Sequence, residues 1–366
     1  MNFCSLISSC QKIVSIPLCA LLALAVSTAP GCKRQPPLSD DTLTPALAVG
    51  VLNSQSLYFT ISARDYLSKN KPALFSPHDN EADRQDFKRA EADPVTWRQL
   101  DRKYHFDTAL LCGDPGEYNK LLEHLLAAND WTLTYLDHTS LIFKRSPAKP
   151  WTINDFHTLQ QKFANYPKGD RAIFLMETGA KLLAIGQLTL AKQQLDESLG
   201  LDGKSADTWT ELALYEVRDN NYKKALEYAG KAVDIDGDNT HALATKAQIL
   251  FSIRRFDDAL SVSQQLVRAN PDDQNILFFH AKIAHESHAY TMEIPTLLHL
   301  IEVVEKAHEP TAGFHIYLAQ AYARNKQNDA SLDEFQRALD EGGLSPEQTK
   351  YINESMTTLR SNQPSP

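Results

Sequence analysis

Apolar residues in the second half of the chain recur every three to four positions, the spacing that places side chains on one face of an α-helix. From residue 172 this pattern has a period of 34 residues. It restarts at Ala206, Thr240 and Gln274, and after 38 residues at Ala312. A period of this length fits two helices and a turn. Residues 172–344 are therefore predicted to form a stack of helix pairs.

Small residues fill two columns of this repeat, numbered from Ala172 as position 1. Position 8 holds Gly179, Ala213, Ala247, Ala281 and Ala319, and position 20 holds Ala191, Ala225, Ala259, Glu293 and Ser331. Closely packed helices need small residues where their backbones approach. The columns resemble those of the tetratricopeptide repeat, which implies an all-α superhelical solenoid. Glu293, Ser331 and four extra residues around Pro295 depart from the pattern and predict a distorted fourth repeat.

Both ends of the repeat region show the features of closing helices. Residues 149–171 form a linker and a helix over 154–166 that packs on the first repeat. At the other end Ser345, Pro346 and Gln348 form a capping-box pattern, which predicts a helix to about Arg360. A polar tail follows, and the closing segment as a whole covers residues 345–366. A repeat array needs such ends because each terminal repeat otherwise exposes an apolar face.

Residues 50–148 mix strand and helix patterns and predict a small α/β layer. Asp93 and Pro94 begin a helix, residues 106–112 and 131–136 are strands, and residues 118–126 form an apolar helical stripe between them. A further strand over 141–144 makes a hairpin with the second of these strands. Upstream, the pattern adds a strand at Ala73–Ser76 and two helices. The predicted fold class is α+β overall, with this layer preceding the all-α solenoid.

A scattered pattern within this segment resembles the soluble C-terminal domain of glycosyltransferase-related bacterial membrane proteins. The resemblance covers about 50 residues, and the positions that carry it are Trp97, Leu100, Tyr104, Phe106, Asp107, Leu110, Leu111, Asp130, Trp131, Tyr135, Asp137, Phe143 and Arg145. It implies an α/β fold and supplies no catalytic residue.

The amino terminus has the pattern of an export signal. Residues 13–26 are apolar and uncharged, and a helix of that length spans about 21 Å, less than the roughly 30 Å of a hydrocarbon core. Residues 1–31 are therefore interpreted as a signal peptide. Ala29, Pro30 and Gly31 precede Cys32 in an arrangement similar to a bacterial lipobox, which predicts lipidation of Cys32. Simple secretion and an uncleaved anchor are the alternatives.

Composition narrows the possible partners. Residues 32–49 are Pro-rich and are interpreted as a tether. The whole chain of 366 residues has a net charge of −9, and this acidic balance disfavours nucleic acid as a partner. A mean hydropathy of −0.36 excludes a polytopic membrane protein. Cys4, Cys10 and Cys19 leave with the signal, so Cys112 has no disulfide partner if Cys32 carries lipid.

The inner face of the solenoid is the candidate binding site. The resemblance places the following residues there: Ile173, Met176, Leu183, Leu214, Val217, Arg218, His241, Gln248, Phe251, Phe278, Lys282, His285, Ile316, Gln320 and Arg324. This largely apolar wall suits an apolar or amphipathic polypeptide segment. It lacks the lysine–asparagine set of chaperone-binding members, which disfavours an acidic chain end. The alternative is that a flanking helix of the same chain fills the groove.

Other candidate chemistry is weaker. Residues 234–239 alternate carboxylates like part of a calcium loop but are interpreted as a turn. His280, His285 and His288 lack further metal ligands. Asp114 is interpreted as a helix cap. Asp114 or Asp137 could serve as a catalytic carboxylate, but the sequence shows no nucleophile at a recognisable spacing from either.

We therefore expect a non-enzymatic scaffold or assembly factor of the bacterial envelope, on its periplasmic side, without cofactor or metal. A glycan- or nucleotide-handling enzyme in the α/β layer and a structural spacer with a self-filled groove are the alternatives.

Overall fold

The computed structural model describes residues 57–60, 67 and 81–361. The predicted signal peptide, Cys32, the tether, the strand at Ala73–Ser76 and the final tail lie outside these residues. Contacts divide the chain into two compact units, one ending at Asp236 and the other beginning at Gly237. Each unit is described separately below.

Unit 1 begins with a four-stranded sheet and three helices. Their bounds are β1 Leu57–Phe59, α1 Glu81–Ala92, α2 Pro94–Tyr104, β2 Thr108–Cys112, α3 Asn119–Ala127, β3 Trp131–Leu136 and β4 Ser140–Arg145. The strand order is β1-β2-β4-β3, with β1 parallel to β2 and with β4 antiparallel to both of its neighbours. The α/β layer predicted from the sequence is thus present, and β4 lies between the two strands that α3 connects.

Aromatic side chains fill the core of this layer. The ring of Tyr58 on β1 lies 4.7 Å from that of Trp97 and 5.0 Å from that of Phe87. Phe106 stacks on Trp97 at 5.7 Å. Asp93 begins α2 as predicted, because its carboxylate accepts hydrogen bonds from two backbone amides of the first turn. This local cap fixes the end of α2 whose Trp97 enters the core.

Helix pairs complete unit 1. After α4 Ile153–Phe163, the pairs are α5 Lys168–Ala184 with α6 Leu188–Leu201, and α7 Ala206–Arg218 with α8 Tyr222–Ile235. The position-8 and position-20 residues of both pairs are buried. In the first pair the approach is close, since a Cβ added at Gly179 would lie 2.8 Å from Leu195.

Unit 2 consists of three helix pairs and a closing helix. Their bounds are α9 Thr240–Ser252, α10 Phe256–Ala269, α11 Gln274–Glu286, α12 Tyr290–Lys306, α13 Ala312–Arg324, α14 Asn328–Glu341 and α15 Pro346–Ser361. Ser345 and Gln348 form the predicted capping box at the start of α15. The fold class expected from the sequence is therefore confirmed: a small α/β layer followed by a helical-repeat solenoid.

The fourth pair contains the residues from which a distorted repeat was predicted. Helix α12 is continuous over 17 residues with Pro295 inside it. Glu293 replaces the small residue and is 2% exposed. His285 Nδ1 lies 2.8 Å from its Oε1, so a hydrogen bond between the paired helices satisfies one oxygen of this carboxylate, while Oε2 is buried without a partner in the described structure. Among all the helices described, none is long and apolar enough to cross a membrane.

Candidate functional site

In unit 1 the predicted inner face is partly covered by the α/β layer. Leu183 belongs to the same buried cluster as the sheet, and Leu214 packs against that cluster. Lys181, also buried, donates a hydrogen bond from Nζ to the carbonyl oxygen of Gly113 at 3.0 Å. The first two repeats therefore share their core with the layer. The other predicted residues of this unit are half-buried, except for the exposed Arg218: they are Ile173, Met176 and Val217.

In unit 2 the closing helix covers one end of the predicted face. Ile316 is buried in a cluster with Ile352 and Met356 of α15. Gln320 Nε2 donates to the hydroxyl of Tyr351 on the same helix at 3.0 Å. Part of the fifth repeat's inner wall is thus occupied by the chain itself. Arg324 at the end of α13 is half-buried.

Half-buried aromatic rings lie on the first helices of the three repeats of unit 2, two of them, Phe251 and Phe278, at predicted inner-face positions. We define the aromatic strip as Phe251 on α9, Phe278 on α11, and Phe314 and Tyr317 on α13. The ring of Phe278 lies 5.6 Å from that of Phe314 and 5.2 Å from that of Tyr317. Lys282 on α11 lies over Phe251, with Nζ 5.6 Å from the ring centre. Three first helices of successive repeats therefore contribute to one surface.

Lys282 is a partly desolvated cation. It is half-buried, and burial lowers the pKa of its amine, which the nearby Glu286 carboxylate opposes. No carboxylate among residues 57–60, 67 and 81–361 forms an ion pair with Lys282. The face of Phe251 supplies weak electrostatic compensation. The site therefore places a positive charge at the edge of an apolar surface.

Gln248 lies one helical turn before Phe251 on α9 and is 5% exposed. Within the described part of the chain, neither its amide nitrogen nor its amide oxygen has a hydrogen-bond partner. A buried amide without partners costs about 1–3 kcal/mol. The side chain thus leaves a donor and an acceptor unused next to the aromatic strip. His241, at the start of the same helix, is half-buried.

The histidines do not form a shared site. His280 Nδ1 lies 2.8 Å from Ser263 Oγ, His285 bonds Glu293, and His288 Nδ1 lies 3.2 Å from the hydroxyl of Tyr290. Burial lowers the pKa of His280 to about 4. Over the described ranges, no three histidine, cysteine or acidic residues are grouped so that they could hold a metal ion.

The carboxylates singled out in the α/β layer have local structural roles. Asp137 Oδ1 accepts hydrogen bonds from the amides of Thr139 and Ser140, each at 2.8 Å, and Tyr135 donates to Oδ2. Asp114 accepts from the amide of Gly116 at 2.7 Å. The expectation that Asp114 caps a helix is wrong, because α3 begins only at Asn119. Both side chains stabilise turns.

Cys112 is a buried thiol at the end of β2. Its Sγ lies 3.2 Å from Ser140 Oγ, and burial raises its pKa to about 12. A thiol with so high a pKa is a poor nucleophile.

The sequence patterns gave no indication of an open, acidic depression in unit 2. It has a volume of about 580 Å³ and is lined by Glu305, Glu309, Thr311, His315, Arg337, Asp340 and Glu341. Two of the lining residues bond each other, since Thr311 donates to Glu341 at 2.8 Å, and a third, His315, has its Nδ1 2.6 Å from Glu334 on α14. These contacts hold α13 to α14.

The successive antiparallel helix pairs, with buried small residues where they meet, define a helical-repeat protein. Residues 216–283 match the family model of the tetratricopeptide repeat. The matched residues do not include the α/β layer, so its resemblance to glycosyltransferase-related membrane proteins stays a prediction. A comparison with curated proteins finds no match.

Several solved structures resemble part of the chain. YrrB, described as a TPR protein with an unusual peptide-binding site, is 16% identical with a TM-score of 0.45, over 54% of this chain and 97% of its own. MamA from Desulfovibrio magneticus RS-1 is 15% identical with a TM-score of 0.41, over 48% and 97%. PilF of Pseudomonas aeruginosa is 14% identical with a TM-score of 0.41, over 52% and 90%.

Proposed function

We propose that the protein is a non-enzymatic scaffold that binds another polypeptide on the inner face of unit 2. The observation that carries this proposal is the aromatic strip with its neighbouring Lys282 and Gln248. Half-buried aromatic side chains on a rigid helical frame are typical anchors of protein interfaces, because they bury large apolar areas at low entropic cost. The parts of the predicted face in contact with the α/β layer and with α15 are assigned to internal packing.

The α/β layer has a supporting role in this proposal. Lys181 and Leu183 tie the first repeat to the layer. Asp114 and Asp137, the carboxylates of the enzyme hypothesis, are engaged in turns. The layer therefore extends and stabilises the first repeats.

The proposal also includes export and anchoring. The uncharged run at residues 13–26 and the lipobox-like sequence before Cys32 support a lipoprotein of the bacterial envelope. With the tether at residues 32–49, the scaffold would hold its partner near a membrane. In this reading the protein assembles or retains an envelope complex on the periplasmic side.

Site-specific photo-crosslinking in the producing cell tests the binding face. A photoreactive phenylalanine analogue is placed in the full chain at Phe251, at Phe278 and, as control, at Leu298, which is 44% exposed on α12. We expect the same polypeptide to be cross-linked from both strip positions and not from Leu298. Identical products at all three positions, or none at the strip, would contradict the proposal.

Once the partner is identified, its affinity is measured with purified proteins. Phe278→Glu, shown by circular dichroism to be folded, should bind at least about tenfold more weakly, since central aromatic anchors carry much of an interface's binding energy. Unchanged affinity would place the interface elsewhere.

A further inference from the structure

The unused polar groups beside the aromatic strip define what kind of segment it binds. We propose that unit 2 binds an extended polypeptide segment in which an acidic side chain, flanked by apolar residues, pairs with Lys282 while the segment's main chain bonds the amide of Gln248. This inference rests on the proposed function and specifies its ligand. It differs from recognition of an acidic chain end, because the carboxylate is an internal side chain.

Lys282 supplies the charge argument. Its ammonium is half-buried over the ring of Phe251 and has no ion-pair partner in the described part of unit 2. Burial already destabilises its charged form. A carboxylate on a ligand would restore the lost solvation and form a charge-assisted hydrogen bond in an apolar setting, where such bonds are stronger than at an open surface. An acidic ligand residue is therefore favoured over a neutral one.

Gln248 supplies the argument for an extended conformation. Its amide offers N–H donors and a carbonyl acceptor, which complement the C=O and N–H groups of a peptide unit. In a helix the main-chain groups already bond one another, so they are available to a side-chain amide only in an extended segment. Because the amide is covered in the unbound protein, binding must displace the side chains that cover it.

The dimensions of the surface agree with this ligand. The strip runs from α9 through α11 to α13, and ring contacts join α11 to both neighbours: Phe279 lies 6.1 Å from Phe251, and Phe278 lies 5.2 Å from Tyr317. With helix axes about 10 Å apart, the strip is about 20 Å long, the length of about six extended residues. A segment of that size can contact Gln248, Lys282 and two apolar positions at once.

Peptide selection against the full chain tests the inference even while the natural partner is unidentified. A phage-displayed library of random linear peptides is selected on the immobilised protein, on Lys282→Glu and on Arg268→Glu, a control that reverses an exposed charge at the end of α10. We expect the wild type and the Arg268 variant to enrich an aspartate or glutamate flanked by apolar residues. Lys282→Glu should instead enrich lysine or arginine.

Affinities of the selected peptide, measured by fluorescence anisotropy, complete the test. Lys282→Met, which keeps the aliphatic stem, should weaken binding about tenfold, the usual loss for a hydrogen bond to a charged group. Gln248→Leu should weaken binding to a similar extent while the protein remains folded by circular dichroism. Binding insensitive to Gln248→Leu would mean that the amide is simply buried, and would overturn the main-chain contact.

The two hypotheses fail in distinguishable ways. Peptides enriched without an acidic residue, or an acidic preference unchanged by Lys282→Glu, would overturn this inference and leave the strip as a binding face. No enrichment on the wild type, together with no cross-linked partner from Phe251 or Phe278, would overturn both.

Discussion

Helices α5 and α6 approach closely at Gly179. We therefore expect that a methyl group added there changes the stability of unit 1, and that the sign of the change depends on the side chain at position 195. A Cβ at Gly179 would lie 2.8 Å from both Cγ and Cδ2 of Leu195, a fully buried residue. In the second repeat the corresponding positions hold Ala213 and Ala229, so a methyl group at the first of them faces a small side chain. Glycine in the first repeat thus compensates for the leucine opposite.

The magnitudes decide the expected sign for Gly179→Ala. Alanine is about 1 kcal/mol better than glycine inside a helix, which alone would stabilise unit 1. Forcing a methyl group into a filled core costs about 1–3 kcal/mol, and Leu195 can yield only by moving within that core. We expect a net destabilisation of about 1 kcal/mol. In a Leu195→Ala background the methyl group enters vacated space, so the same substitution should stabilise by about 1 kcal/mol.

Urea unfolding monitored by tryptophan fluorescence measures these changes in the stability of unit 1. The protein's four tryptophans, Trp97, Trp131, Trp151 and Trp209, all lie before Asp236 and therefore report on unit 1. The quantity compared is the free energy of unfolding of the wild type, both single variants and the double variant. If Gly179→Ala stabilises equally with leucine and with alanine at position 195, the packing explanation is refuted.

Three further predictions concern unit 2 and the amino terminus. The pKa of His280 is about 4 in the folded protein and about 6.5 in the unfolded chain. The contribution of His280 to the free energy of unfolding is therefore full above pH about 6.5 and falls by about 3 kcal/mol as the pH drops to about 4. His280→Leu should remove that part of the pH dependence of urea unfolding followed by circular dichroism, and an unchanged slope would contradict it. Gln248→Leu should raise the free energy of unfolding by about 1 kcal/mol because it removes an unpaired buried amide, whereas Gln320→Leu, which loses a bond to α15, should not; equal effects would refute the argument. Cys32→Ala should move the protein from the membrane to the soluble fraction of lysed cells, and retention in the membrane fraction would exclude lipidation as the anchor.

The repeat region could be predicted well because its packing is encoded locally. The small residues recur at the period of the helix pairs, and α7, α9, α11 and α13 begin at the residues where the pattern restarts. The fourth pair was harder to predict. Its Glu293 suggested distortion, yet α12 is continuous, and His285 on the preceding helix bonds one oxygen of the carboxylate. A hydrogen bond between two helices leaves no periodic trace in the sequence.

The α/β layer has features that sequence patterns do not predict. Strands β2, β3 and β4 stand out as short apolar runs, but β1 has three residues and no alternation to reveal it. The strand order depends on pairings between distant segments, and β4 lies between β2 and β3. At Asp114 the pattern predicted a helix start, whereas the carboxylate closes a turn and α3 begins five residues later.

Sequence positions predicted an inner face without revealing what covers those residues, and the fifth repeat illustrates the consequence. Gln248 and Gln320 occupy the same repeat position, nine residues into the first helices of the third and fifth repeats. In the fifth repeat α15 lies on this face, and Tyr351 satisfies the glutamine amide. In the third repeat the amide is buried without a partner in the described structure. Since a buried amide is destabilising unless it is bonded, the chain retains at Gln248 a cost that it removes at Gln320. A polypeptide bound across α9 and α11 would provide hydrogen-bond partners for the amide of Gln248, as Tyr351 of α15 does for the amide of Gln320.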